Sequence, residues 1–184
     1  MIDVYRSYMD TAAFTLRQAG KDDVDAWIGL FEAVAAEGRW IGTEVPIDRE
    51  QMARGFVERF FEGEEPAAMF VAEAGCGLIG HLGVHLQHGI AELGMMVAAD
   101  WRGRGVGSAL LGSAVEWARE AGAHKMALQV WPHNAGARRL YERLGFVTEG
   151  RLRRHWRRRN GELWDSIVMG LVLDTTTAGS PFPG

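Results

Sequence analysis

The sequence predicts an α/β layered fold, with a mixed, mostly antiparallel sheet of about seven strands and flanking helices. Three observations predict it. Apolar residues switch repeatedly between period two and period 3.6, in the order β-α-α-β-β-β-α-β-α-β-β. Three successive strand-like runs are joined by short glycine turns and read as an antiparallel meander. The chain has 184 residues, 47% apolar and 24% charged, enough for one domain with a sizeable core.

Phe14–Gln18 alternates and reads as a short strand. Asp22 is placed to cap a helix carrying Val24, Trp27, Ile28, Phe31 and Val34 on one face and ending near Gly38. Arg39–Ile47 is a loop. Asp48 opens a second helix, with Gln51 three residues on in a capping-box-like pair and Met52, Phe56, Val57 and Phe60 as its apolar stripe. Pro66–Glu73, Leu78–Leu86 and Ile90–Val97 are strands, reversed at Gly75-Cys76-Gly77 and at His88-Gly89. Ser108–Ala121 is a helix stopped by Gly122, and Lys125–Val130 is a strand stopped by Pro132. Asn134–Leu144 is a helix with Gly145 as its C′ residue. Phe146 to about Trp156 and Glu162–Leu173 form a hairpin around Asn160-Gly161. The Thr-, Gly- and Pro-rich tail, 174–184, is expected to be disordered. No internal repeat or linker divides the chain.

The richest stretch chemically is Arg102-Gly103-Arg104-Gly105-Val106-Gly107-Ser108, between a strand and a helix. Alternate glycines let the backbone pass close to a ligand. The helix that follows offers unpaired N–H groups and the positive end of its dipole, a site suited to phosphate. A P-loop would end in Gly-Lys-Ser/Thr, and no lysine lies near. A Rossmann loop would have G-x-G-x-x-G spacing near the first strand of a βαβ unit. Neither pattern is met.

With its Arg102-x-x-Gly105-x-Gly107 pattern after the fourth strand, the chain resembles the GNAT superfamily of acyl-CoA-dependent N-acetyltransferases. A second family element follows in order: Asn134, Ala137, Leu140-Tyr141-Glu142, then Leu144-Gly145-Phe146. Ala91–Val97 is similar to the family's fourth strand, and Gly161–Asp165 to Met169 to the last strands of its polyamine and ribosomal-protein branch. The resemblance spans 12–173, taken as one domain.

The resemblance implies acetyl-CoA as co-substrate, lying between the strand ending at Val97 and the strand starting at Lys125. These fourth and fifth strands are expected to splay, helped by a bulge in the fourth. The pantetheine arm would bond to backbone at Met95, Met96 and Val97, with the Val97 N–H polarising the thioester carbonyl. The pyrophosphate would sit in the loop from Arg102 and Gly103, on the amides of Arg104, Gly105, Val106, Gly107 and Ser108. Of the two arginine side chains, Arg102 is the preferred phosphate contact; both could equally face water. Tyr141 matches the tyrosine that protonates the departing sulfur, against the alternative of a tyrosine capping the core. Asn134 matches an asparagine that caps the Ala137 N–H, contacts the pantetheine, or does both.

The acceptor amine must lose a proton before it attacks, and a carboxylate is the usual base. Glu92 is the first candidate and Glu44 the second, with Trp40 as a wall of the acceptor cleft. The plain alternatives are a solvated strand residue for Glu92 and core packing for Trp40. His81, His85 and His88 share no helical face, so no metal is expected.

The expected activity is acetyl transfer to the primary amine of a small molecule by direct attack in a ternary complex. A protein N-terminal or lysine acceptor is the second reading, and a non-catalytic acyl-CoA-binding module the third. Residues 1–100 carry 7 basic and 17 acidic side chains, net −10, and residues 101–184 carry 13 and 7, net +6. That asymmetry suits an anionic donor near the glycine loop. Arg151–Arg159 holds six arginines, read first as a solvated hairpin face and second as a site for an anionic acceptor. No nucleic-acid partner is expected. The single cysteine, Cys76, excludes an internal disulfide and suits a cytoplasmic setting. No signal peptide is expected in Met1–Ala13, and no apolar run reaches the ~20 residues of a membrane span. A homodimer is compatible with the resemblance.

Overall fold

The computed structural model describes residues 14–75 and 77–174. Residues 1–13, Cys76 and the tail residues 175–184 lie outside them, so the readings of Met1–Ala13, of the cysteine turn and of the tail end there. Seven strands form one sheet in the order β1-β2-β3-β4-β5-β7-β6. They are β1 Thr15–Gln18, β2 Ala67–Ala74, β3 Gly77–Gln87, β4 Ile90–Val97, β5 Lys125–Val130, β6 Val147–Arg157 and β7 Leu163–Val172. Four helices flank it: α1 Val24–Ala36, α2 Arg49–Val57, α3 Val106–Glu120 and α4 Ala135–Arg143. Every strand pair is antiparallel except β4 with β5.

That parallel pair is short. It joins Ile90 to Lys125, Ala91 to Met126 and Glu92 to Ala127, and beyond Glu92 the strands part. The expected bulge in β4 is absent, since β3 and β4 keep one register from Gly80–Val97 to Gln87–Ile90. The split therefore lies between two intact antiparallel ladders, β3–β4 and β5–β7, each continuing without its neighbour.

The sheet divides the core. One face carries Leu82, Val84, Ala91, Met126 and Met169 against Leu110, Leu111 and Ala114 of α3 and Phe146 after α4. Burying side chains of this size stabilises by ~1.5–3 kcal/mol each before entropy is counted. The other face packs Met69 and Val71 against Trp27 and Ile28 of α1 and Phe56 of α2. Met96 joins Leu30 and Val34 in a smaller cluster beside it.

Local chemistry explains most boundaries. Asp48 accepts the Gln51 N–H at 2.9 Å and opens α2 as expected. Asp22 does not cap α1. A short 3-10 turn, Lys21–Asp23, precedes that helix, and the Asp23 carboxylate takes the Gly20 N–H and the Arg17 guanidinium. α2 runs into a π-helical turn, Glu58–Glu62, which was not foreseen. The wider turn brings Phe60 and Phe61 onto the same cluster as Phe56. The helix expected from Ser108 begins two residues earlier, at Val106. The last hairpin turns through three residues, Arg159–Gly161, with Gly161 left-handed at φ 88°.

Candidate active site

A cleft of about 1340 Å³ opens where β4 and β5 part. Small-molecule sites commonly measure about 300–1,000 Å³, so this one has room for two ligands. Its two halves lie on opposite faces of the sheet.

The first half is built by the glycine loop and α4. Gly103 and Gly105 adopt φ of 75° and 87°, which a side chain would resist. They curl the chain so that α3 starts at Val106. The Ala109 N–H closes the first helical bond on Gly105 O, leaving the N–H groups of Val106, Gly107 and Ser108 without partners inside the helix. Gly107 serves packing: a Cβ there would meet Leu140 Cδ2 at 3.0 Å and Met95 Cε at 3.5 Å. These amides and the fifteen-residue α3 fit a phosphate group.

The β4 edge completes this half. The Ala98 N–H bonds Ile79 O on β3, so ladder alternation turns the backbone of Leu93, Met95 and Val97 toward the gap. Met96 alternates the other way, bonding toward β3 and burying its side chain beside Leu30 and Val34. Its backbone is therefore not offered to a ligand in the gap as expected.

Arg102 also departs from expectation. Its guanidinium grips Glu37 through both Nη atoms, at 2.7 and 2.5 Å, and donates from Nε to Val97 O at 2.9 Å. Arg102 thus ties the end of α1 to the end of β4, instead of standing free for phosphate. The same pair holds the Glu37 carboxyl below its usual range, with the Trp40 indole N–H as a second donor at 2.6 Å. Arg104 lies over the Trp101 ring, 5.3 Å from its centroid.

Asn134 caps α4 through the Ala137 N–H at 3.2 Å. Two turns on, Tyr141 is 6% exposed and lines the cleft. Its hydroxyl has no hydrogen-bond partner among the described residues. Desolvation pushes its pKa up to about 12, so the phenol stays protonated.

The second half faces α1 and α2. Glu92, the last β4 residue paired to β5, has a side chain 60% exposed and lies 3.8 Å from His85 on β3. Gly94 follows on the same face, and a Cβ there would meet nothing within 4 Å, leaving an open floor. Trp27, Phe31, Phe56, Phe60 and Met69 wall one side. Trp131 and Trp156, edge to face at 5.7 Å, wall the other. Trp40 also lines the cleft, with Arg39 stacked on its ring at 4.3 Å.

Glu44 does not reach the cleft. Its carboxylate accepts the Arg159 N–H at 2.9 Å and lies 3.5 Å from Arg158. That contact belongs to a clasp. Arg158, 4% exposed, donates to the carbonyls of Ile41, Gly42 and Gly38, and Arg159 to those of Val45 and Pro46. The arginine run is thus only partly a solvated face, because its last two members fasten the loop after α1, whose residues Trp40–Thr43 line the cleft.

His81, which the sequence raises only as a metal ligand and rejects as one, belongs to this half. It is 5% exposed, stacked on Phe31 at 6.1 Å and edge-on to Trp27 at 5.9 Å. Burial pushes its pKa down to about 3, so the ring is neutral. Neither ring nitrogen has a partner among the described residues, nor does Trp27 Nε1. Among these residues no group of three or more His, Cys, Asp or Glu could hold a metal, and no helix is long and apolar enough to cross a membrane.

The comparisons agree with this geometry. The model of the acetyltransferase (GNAT) family matches residues 26–146. An uncharacterised N-acetyltransferase of Methanocaldococcus jannaschii is 29% identical over 153 residues, 76% of this chain, and the chain spans 65% of that relative's length. The L-methionine sulfoximine/L-methionine sulfone acetyltransferase of Pseudomonas aeruginosa is 26% identical over 168 residues, 88% of this chain and 96% of the relative. Among solved structures, a GNAT superfamily phosphinothricin acetyltransferase from Sinorhizobium meliloti, in complex with acetyl-CoA, superposes with a TM-score of 0.78 at 23% identity. The match covers 94% of this chain and 95% of that one. A split sheet with a glycine loop on one side of the gap, and a family model covering most of the chain, lead to one statement: this chain belongs to the GNAT family of acetyltransferases.

Proposed function

We propose that the protein moves an acetyl group from acetyl-CoA to the primary amine of a small molecule, by direct attack in a ternary complex. The parting of β4 and β5 after three residue pairs carries this reading. It opens one cleft to both faces of the sheet, with Tyr141 on one side and Glu92 on the other. Acetyl-CoA supplies an activated acyl group on a thiol that can leave.

The amides of Val106, Gly107 and Ser108 hold the pyrophosphate, and the outward backbone of Met95 and Val97 hydrogen-bonds the pantetheine arm. The Val97 N–H polarises the thioester carbonyl. Glu92 takes a proton from the acceptor ammonium, which frees a lone pair to form the C–N bond as the C–S bond breaks. Tyr141 donates a proton to the departing sulfur, and the second proton that the nitrogen sheds as it becomes an amide restores the phenol by way of water. Arg102 acts through Glu37 and Val97, keeping the loop in place.

The clasp of Arg158 and Arg159 on residues 38–46 supports a small acceptor over a peptide, since it fixes in place a loop whose residues Trp40–Thr43 line the cleft. The lone cysteine supports a cytoplasmic setting as part of the proposal. Measuring free CoA with small amines, with peptides and with no acceptor tests the reading. Amine-dependent release with small molecules is expected. Release with peptides alone would move the assignment to a protein substrate, and acetyl-CoA binding without any release would leave only a binding module.

A further inference from the structure

The acceptor half is unusual in its charge and in its orphaned polar atoms. Among the described residues that line the cleft, Glu92 is the one carboxylate, whereas Arg59 lines the same half with no ion-pair partner. A polyamine or aminoglycoside carries several positive charges, and each needs an anion or good hydration when it leaves water. One carboxylate beside an arginine does not supply that.

The walls point to a different ligand. Trp27, Phe31, Phe56 and Phe60 with Met52 and Met69 form an aromatic and thioether surface reaching from the open floor at Gly94 to α2. Aromatic and sulfur groups favour rings and soft apolar side chains. Gly83 lets Phe60 pack close to the sheet, since a Cβ there would meet Phe60 Cζ at 2.8 Å. Two buried polar side chains, His81 and Trp27, belong to this wall, and their ring nitrogens, closed off from solvent, have no partner among the described residues. Buried polar groups in folded proteins are normally satisfied, and an unpaired one calls for an explanation. A neutral imidazole offers one donor and one acceptor, and the indole offers a donor.

We infer that the acceptor is a monoamine whose aromatic or thioether side chain, carrying one polar group, lodges in this chamber, and that His81 selects it through a hydrogen bond to that polar group. The inference rests on the acetyl-transfer reading above and narrows it. His81 is a specificity residue in this view, because a neutral imidazole so hard to protonate cannot serve as the base.

The experiment compares tyramine with phenethylamine, which differ by one hydroxyl, and sets both against spermidine and kanamycin. CoA release is followed with the wild-type protein and with His81→Phe and His81→Gln, alongside acetyl-CoA binding and melting temperature. The wild type is expected to prefer tyramine over phenethylamine by at least about tenfold in kcat/KM, and both over the polycations. His81→Phe keeps aromatic volume and removes unpaired nitrogens, so it should fold at least as well and bind acetyl-CoA equally. Its preference for tyramine should fall to within about twofold, and His81→Gln, which still hydrogen-bonds, should retain part of it. A purely structural His81 predicts that the preference is absent or survives in His81→Phe, and either result overturns the inference. Faster turnover of spermidine or kanamycin overturns it too while leaving the acetyl-transfer reading intact. Acetyl-CoA binding with no amine acetylated overturns both.

Discussion

Tyr141 and Glu92 face one gap from opposite sides of the sheet, and their environments differ as their proposed duties do. The phenol is buried and protonated, whereas the carboxylate is open to the solvent that must carry its proton away. Tyr141→Phe should lower turnover at least about tenfold and leave acetyl-CoA affinity nearly unchanged, as read by initial rates and calorimetry. With the phenol pKa pushed up to about 12, the protonated, active form persists through ordinary alkaline conditions. The wild-type rate should therefore show no falling limb from this group below about pH 10. His81 gives a separate stability signature. Its folded pKa is depressed to about 3 against an unfolded value near 6.5, so the neutral ring stabilises the fold fully above about pH 6.5. As pH falls from there toward about 3, the unfolded chain binds a proton that the folded one refuses, and stability drops. Denaturant titrations of His81→Phe should show a shallower acid dependence, by up to ~1.4 kcal/mol per pH unit.

Among the elements, β4 presents its two edges and two faces to different tasks. The tight turn at His88-Gly89 fixes Gln87 opposite Ile90, and so His85 opposite Glu92 and His81 opposite Met96. That register was legible in the sequence, because a two-residue reversal leaves little freedom. It puts both histidines on the same face of the sheet as Glu92. The engagements of Glu44 and Arg102 were not legible, because both depend on partners at long range, Arg159 and Glu37. The expectation of a β4 bulge came from family likeness, whereas the unbroken β3–β4 register accounts for the gap without one. Gly94→Val tests the strand's open floor. Since a Cβ there touches nothing, the melting temperature should stay within about 2 °C, while the acceptor KM rises several-fold and donor affinity holds. Arg158→Ala tests the clasp. Three carbonyls lose a buried charged donor, so a loss of about 3 kcal/mol by denaturant titration, with a raised acceptor KM, is expected.

Across the whole molecule, the glycine loop and the chamber beside Glu92 meet only at the gap, and the proposed reaction would therefore hold both substrates at once. Initial-rate plots against both substrates should intersect, and rapid mixing without acceptor should release no burst of CoA. Parallel lines with a burst would mean a covalent acyl-enzyme. The order of elements and the glycine loop were legible from periodicity and spacing, because they depend on neighbours in sequence. The acceptor side was not, because Trp27, His81, Trp131 and Trp156 come together only through the fold.

The short β4–β5 pairing also governs how the protein opens. Three rungs join a four-strand leaf, β1 to β4, to a three-strand leaf, β5 to β7. Local opening follows the weakest seams of a structure. Without ligand, the two leaves should exchange amide hydrogens as separate cooperative units. A pantetheine arm bonded to Met95 and Val97 would act as the missing rungs, merging the leaves into one unit and slowing exchange far from the gap.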